Sequence, residues 1–99
     1  MFVGALELDL LLGDVRSLKE KRSVVRPVVA ELRRRLLVAA AEVDGLDVHR
    51  RVTIGVAVVA DSANHCQHVL EECERLVAGR PELDVLSARH RLFGDDDDE

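Results

Sequence analysis

Tryptophan and tyrosine are absent from the 99 residues, and Phe2 and Phe93 are the sole aromatics. A sheet that reads unpaired bases by stacking them on rings is thereby excluded, and the core has to be assembled from Leu, Val, Ala and Ile. No run of about 18 uncharged apolar residues occurs, and no cationic segment precedes the apolar stretch at the N-terminus. Neither a membrane-spanning helix nor a secretory leader is expected, which predicts a cytoplasmic protein. Cysteine is scarce: Cys66 and Cys73 stand seven positions apart on what reads as one helix. That spacing is about 10 Å along a helix axis, too far for a disulfide, so reduced, buried thiols are expected.

Catalytic signatures are missing too. There is no Gly-rich phosphate loop and no Gly-x-Ser-x-Gly turn, and neither cysteine has a base partner in sequence. The loop Gly13 to Ser17 has no cysteine pair for a soft metal, and Arg16 lacks the glycine-flanked setting of an acylphosphatase cradle. The expectation is a protein that is not an enzyme and holds no cofactor.

The formal net charge is −5, but Asp95, Asp96, Asp97, Asp98 and Glu99 supply all of it and leave residues 1–94 neutral. Residues 1–94 read as a single domain and 95–99 as a solvated, disordered acidic tail.

Phe2 to Leu12 alternates, with Leu6, Leu8, Leu10 and Leu12 opposed by Glu7 and Asp9, the period of a half-covered strand. Ser17-Leu-Lys-Glu20 matches a capping box that opens a helix. Its apolar stripe runs through Leu18, Val25, Val29, Leu32 and Leu36, and Pro27 predicts a kink near Ser23 to Arg26. Val38 to Asp44 reads as a strand with Ala39, Ala41 and Val43 inward and Glu42 and Asp44 outward. Val52 to Ala60 is almost wholly apolar, as a central strand is. Asp61 or Ser62 then caps a helix carrying Cys66, Val69, Leu70, Cys73, Leu76 and Val77, which Gly79 and Pro81 end. Leu83 to Leu92 is a last strand with two conflicting parities, Leu83 and Val85 against Leu86, Ala88 and Leu92. Right-handed crossovers arrange such a chain as an α+β, ferredoxin-like β-α-β-β-α-β sandwich, with antiparallel sheet order 4-1-3-2 and both helices on one face.

Charge is concentrated on the first helix. Residues 16–35 hold eight cations against Glu20 and Glu31, and Arg16, Lys19, Lys21, Arg22, Arg26 and Arg33 are the candidates for contact with the phosphates of RNA. The same side chains equally serve as a solvating coat paired with carboxylates elsewhere. On the uncovered sheet face, Glu7, Asp9, Thr53, Gly55 and Ala57 are candidates for a homodimer contact, with Glu42 and Asp44 beside them. The carboxylates there are explained as a solvated polar surface more readily than as an acid/base pair. His65, His68 and Glu72 share one helical side, yet a metal site needs further ligands, and none is expected; His49 and His90 are isolated.

The segments Gly4-Ala-Leu-Glu-Leu-Asp9, Ser17-Leu-Lys-Glu-Lys-Arg-Ser-Val-Val-Arg26, Ala41-Glu-Val-Asp44 and Thr53-Ile-Gly-Val-Ala-Val58 resemble the YlxP-like family of small bacterial proteins. That family is a domain of unknown function, and the resemblance covers nearly all of residues 1–92. It implies the ferredoxin-like fold. Members often lie in gene neighbourhoods with translation initiation and ribosome-maturation factors, which implies a role near RNA or the small ribosomal subunit. This chain departs from the pattern at Pro27 and at His49, where relatives often carry an aromatic residue. The leading expectation is therefore a non-enzymatic accessory protein of translation that binds structured RNA through its first helix. A homodimeric interaction module using the open sheet face is the alternative, and a small-ligand regulatory domain is third, with no membrane partner and no small-molecule substrate identified.

Overall fold

The computed structural model describes residues 1–45 and 49–94. Its elements are β1 (Phe2–Leu12), α1 (Leu18–Leu36), β2 (Ala39–Asp44), β3 (Arg51–Ala60), α2 (Ala63–Ala78) and β4 (Leu83–Gly94). The alternation in β1 decides the layering. Leu6, Leu8, Leu10 and Leu12 are all within 1% of complete burial, each contributing about 2 kcal/mol of burial, while residues of the other parity are half-exposed. β1 pairs antiparallel with β3 on one side and β4 on the other, and β2 adds to the outer edge of β3. The order β2-β3-β1-β4 is the expected 4-1-3-2 read from the opposite edge. The expected tail, 95–99, and residues 46–48 of the loop after β2 lie outside the described residues.

Both helices pack on the leucine face. Val25, Val28, Val29 and Leu32 of α1 and Cys66, Leu70, Cys73 and Val77 of α2 are buried there, with Val52, Ile54 and Val56 of β3 beneath. At the start of α1, the Ser17 hydroxyl accepts from the Glu20 amide at 3.1 Å. The Glu20 carboxylate accepts in turn from the Arg16 amide at 2.6 Å, one residue upstream of the expected partner. Ser62, rather than Asp61, caps α2, accepting from the His65 amide at 3.1 Å. Pro27 does not divide α1, which continues unbroken to Leu36. Ser23 and Pro27 both face solvent, so the Ser23 carbonyl that proline leaves without a donor is open to water.

Two bulges correct the expected strand phases. In β4, Asp9 pairs with Ser87 but Leu10 with Val85, which makes Leu86 the additional residue. Leu83 and Val85 face the helices before it, and Ala88 and His90 after it, so the conflicting parities belong to one strand with a phase break. In β2, Glu42 pairs with Ile54 but Asp44 with Thr53, and Val43 is the additional residue. Val38 and Ala40 are buried under α1, whereas Ala39, Ala41 and Val43 lie on the open face, the reverse of the expected inward set. Glu42 accordingly sits on the helix side and not on the open face. Asp44 reaches the open face because the bulge restores its parity.

Candidate nucleic-acid interface

Steps of 100° per residue bring Lys19, Arg22, Arg26 and Arg33 within about 60° of one another on α1, spread over about 21 Å of helix axis. All four are exposed. Among the described residues Lys19, Arg22 and Arg26 have neither a carboxylate nor any other hydrogen-bond partner. Arg33 donates from Nε to the Ala40 carbonyl at 2.9 Å, which lays its guanidinium along the β2 edge and leaves its Nη groups available. Arg26 and Arg33 line a groove of about 350 Å³ between helix and edge strand, with Val29, Ala30, Ala41 and Glu42. The C-terminal half of the row therefore borders a concave track.

The other cations of this segment are placed differently. Lys21, expected among the phosphate contacts, is buried with 2% of its surface exposed and donates from Nζ to the Gly45 carbonyl. It is removed from the surface because it sits on the core side of the helix, one turn before Val25. Arg16 stands ahead of the helix with Nε 3.5 Å from an Asp14 carboxylate oxygen, both side chains more than 80% exposed; such a pair holds a side chain only weakly. Arg35 turns toward α2 and bonds Glu31 at 2.8 Å. Glu31 also accepts from Arg80, and its two guanidinium partners hold its carboxyl below the usual range against the opposing effect of desolvation.

Glu7, Asp9, Thr53, Gly55 and Ala57 do share the open face, but the first three belong to a closed network. Asp9 Oδ1 accepts from the Thr53 hydroxyl at 2.6 Å, and Oδ2 from the Ser87 hydroxyl at 2.7 Å and Arg89 Nη1 at 2.5 Å. Arg89 Nη2 donates to Glu7 Oε1 at 2.6 Å. The hydrogen bonds from Thr53, Arg89 and Ser87 hold the Asp9 carboxyl far below the ordinary carboxylate range. A carboxylate so fully engaged takes up no proton near neutral pH, so it makes a poor general base. Ser87 and Arg89 escaped the sequence reading because the bulge at Leu86 hides their parity.

Elsewhere the chemistry is equally settled. Burial and the neighbouring Glu72 carboxylate push the Cys73 thiol up to about 11, an unreactive state. Glu72 bonds Arg75 at 2.5 Å, His65 and His68 are exposed, and among the described residues no three His, Cys, Asp or Glu side chains are grouped to hold a metal. His90 Nε2 lies 2.9 Å from Glu74 Oε1, joining β4 to α2. No helix among the described residues is long and apolar enough to cross a membrane.

Three comparisons place this arrangement among known proteins. A de novo designed protein with a ferredoxin fold, solved by solution NMR, superposes with a TM-score of 0.56 over 95% of this chain and 87% of its own, at 14% identity, a likeness of fold alone. The "Uncharacterized protein YlxP" of Bacillus subtilis (strain 168) is 25% identical over 91 residues, 92% of this chain and 99% of that one. Residues 3–90 match the model of the family described as "Protein of unknown function (DUF503)", and with that span matched the chain belongs to the DUF503 family.

Proposed function

We propose that the protein is a cytoplasmic, non-enzymatic accessory of the translation apparatus that binds structured RNA, on the small ribosomal subunit or free, through the exposed flank of α1. The observation that carries the reading is the row Lys19, Arg22, Arg26 and Arg33, whose C-terminal half borders an open groove and whose first three cations have no internal partner among the described residues. Unpaired cations along one helix flank neutralise a phosphate backbone and release its counterions. The groove offers Val, Ala and Glu beside the two arginines, with no aromatic and no amide side chain to read a base edge. The contacts are therefore to phosphate and carry position more than sequence. Arg16, ahead of the helix and 3.5 Å from an Asp14 carboxylate oxygen, is not counted in the row. The translation setting is supported by the resemblance to the YlxP-like family, and the polyanion by the charge.

The test is co-sedimentation of the full chain with isolated small ribosomal subunits, and fluorescence anisotropy with a labelled ribosomal RNA hairpin, at low salt. Retention of the wild-type chain, and its loss in the Arg22→Glu, Arg26→Glu double variant, are the expected results. No retention at low salt, or equal retention of the variant, overturns the proposal.

A further inference from the structure

The face of the sheet turned away from the helices is uncovered, and its register resolves it into rows. Phe93, Val3 and Val59 form one row; Arg91, Ala5, Ala57 and Ala39 the next; Arg89, Glu7, Gly55 and Ala41 a third; and Ser87, Asp9, Thr53 and Asp44 a fourth. The two margins differ. The β4 margin carries the bulky ring of Phe93, 53% exposed, and the cations Arg89 and Arg91. The β2 margin is a floor of Ala39 and Ala41, lining an apolar depression of about 350 Å³ with Gly55 and Ala57, and it ends in the carboxylate of Asp44.

We infer that this face is the interface between two copies of the chain, related by a two-fold axis parallel to the strands. Such an axis keeps each row at its level and exchanges the margins. The Arg91 stem of one copy then lies over Ala39 of the other and the Arg89 side chain over Ala41, one row from the other copy's Asp44, while the Phe93 ring closes the end of the interface beside the other copy's Val59. Size agrees. Strands of 11, 6, 10 and 12 residues send about half their side chains to this face, about twenty residues, which is what one side of a standard interface takes. Charge is nearly balanced as well, with Glu7, Asp9, Asp44 and Asp84 against Arg51, Arg89 and Arg91, and the network around Asp9 is already internally paired. The α1 flank, by contrast, would set like charges against each other in any self-contact.

The inference does not rest on the RNA reading, since a dimer so formed leaves both basic helices on its outside. Sedimentation velocity of the full chain across the micromolar range tests it. The expected mass is that of two chains, falling to one chain in Ala57→Arg and in Phe93→Glu, with helical circular dichroism and cooperative melting retained. Phe93 is exposed at the sheet margin, so Phe93→Glu decides the matter should Ala57→Arg disturb folding. A wild-type chain that is monomeric at its highest soluble concentration, or a dimer that survives Phe93→Glu, overturns the inference.

Discussion

Neutralising Arg22 and Arg26 together changes the salt dependence of RNA binding by a calculable amount. Lys19, Arg22, Arg26 and the Nη groups of Arg33 present four cations to a polyanion. At a slope of about −0.9 per phosphate neutralised, the plot of log affinity against log salt should fall with a slope of about −3.6. Raising salt from about 50 to about 200 mM then weakens binding by about 150-fold. Arg22→Gln with Arg26→Gln leaves two contacts, a slope of about −1.8 and a loss of about 12-fold over the same interval. Both arginines are exposed and lack partners among the described residues. Glutamine is a good helix former, so stability should stay within about 0.5 kcal/mol of wild type. Arg35→Gln is the control: Arg35 belongs to the same helix but bonds Glu31 at 2.8 Å on the α2 side, and its loss should leave the slope unchanged. The assay is fluorescence anisotropy with a structured RNA at four or more salt concentrations. A wild-type slope shallower than about −1, or a fall in slope as large for Arg35→Gln as for the double variant, would refute the assignment of the interface to this flank.

Asp9→Ala removes the acceptor that Thr53, Ser87 and Arg89 share, a loss of about 2 kcal/mol at pH 7 by urea denaturation. Because the folded carboxyl is held below its unfolded value near 3.9, the deficit should be constant from about pH 7 to 5 and shrink as pH falls below about 4. Lys21→Ala strands the Gly45 carbonyl and exposes core beside Val25, which should cost about 2 kcal/mol or more, with Lys21→Met recovering part of it through the stem. At Gly4 an added Cβ meets Leu70 Cδ1 at 2.9 Å, Cys66 Cβ at 3.2 Å and Val58 Cγ1 at 3.3 Å, while at Gly55 it meets only Val43, whose methyl lies at 2.9 Å. Val43 is 56% exposed and can yield, so thermal melting should show Gly4→Ala costing about 1–3 kcal/mol and Gly55→Ala clearly less.

What the sequence makes legible follows from where periodicity survives. Leu6 to Leu10 alternates with Glu7 and Asp9, and the core lies where that alternation puts it. β2 fails for a specific reason: Ala39, Ala40 and Ala41 carry no hydropathy contrast, so the inferred phase rests on Glu42, Val43 and Asp44, where the bulge falls. The same device in β4 was visible as a conflict of parities and resolves into a bulge at Leu86 once the pairing with β1 is known. Lys21 is a different case. Its position one turn before Val25 puts it on the buried side, but a lysine reads as solvent-facing by composition, and the bond to the nearby Gly45 carbonyl, which helps to make its burial tolerable, is not visible in the sequence. The Asp9 network was half legible, since Glu7, Asp9 and Thr53 follow from strand parity and Ser87 and Arg89 do not.

The position of the cationic row is itself a consequence of the core. Val25, Val28, Val29 and Leu32 are all buried, and together they fix the rotation of α1 about its axis. A roll of one residue, 100°, would turn Arg22 and Arg33 toward the sheet, where an unpaired guanidinium costs far more than any gain in contact. Core packing thus holds the flank toward β2, and the Arg33 bond to the Ala40 carbonyl ties the row to the edge strand at its C-terminal end. The open face is independent of that constraint, because it is set by strand parity on the opposite side of the sheet. Two surfaces with separate structural causes, one cationic and one of mixed, nearly balanced charge around an apolar floor, can therefore be altered one at a time, and a variant that abolishes self-association without touching the salt slope would separate them.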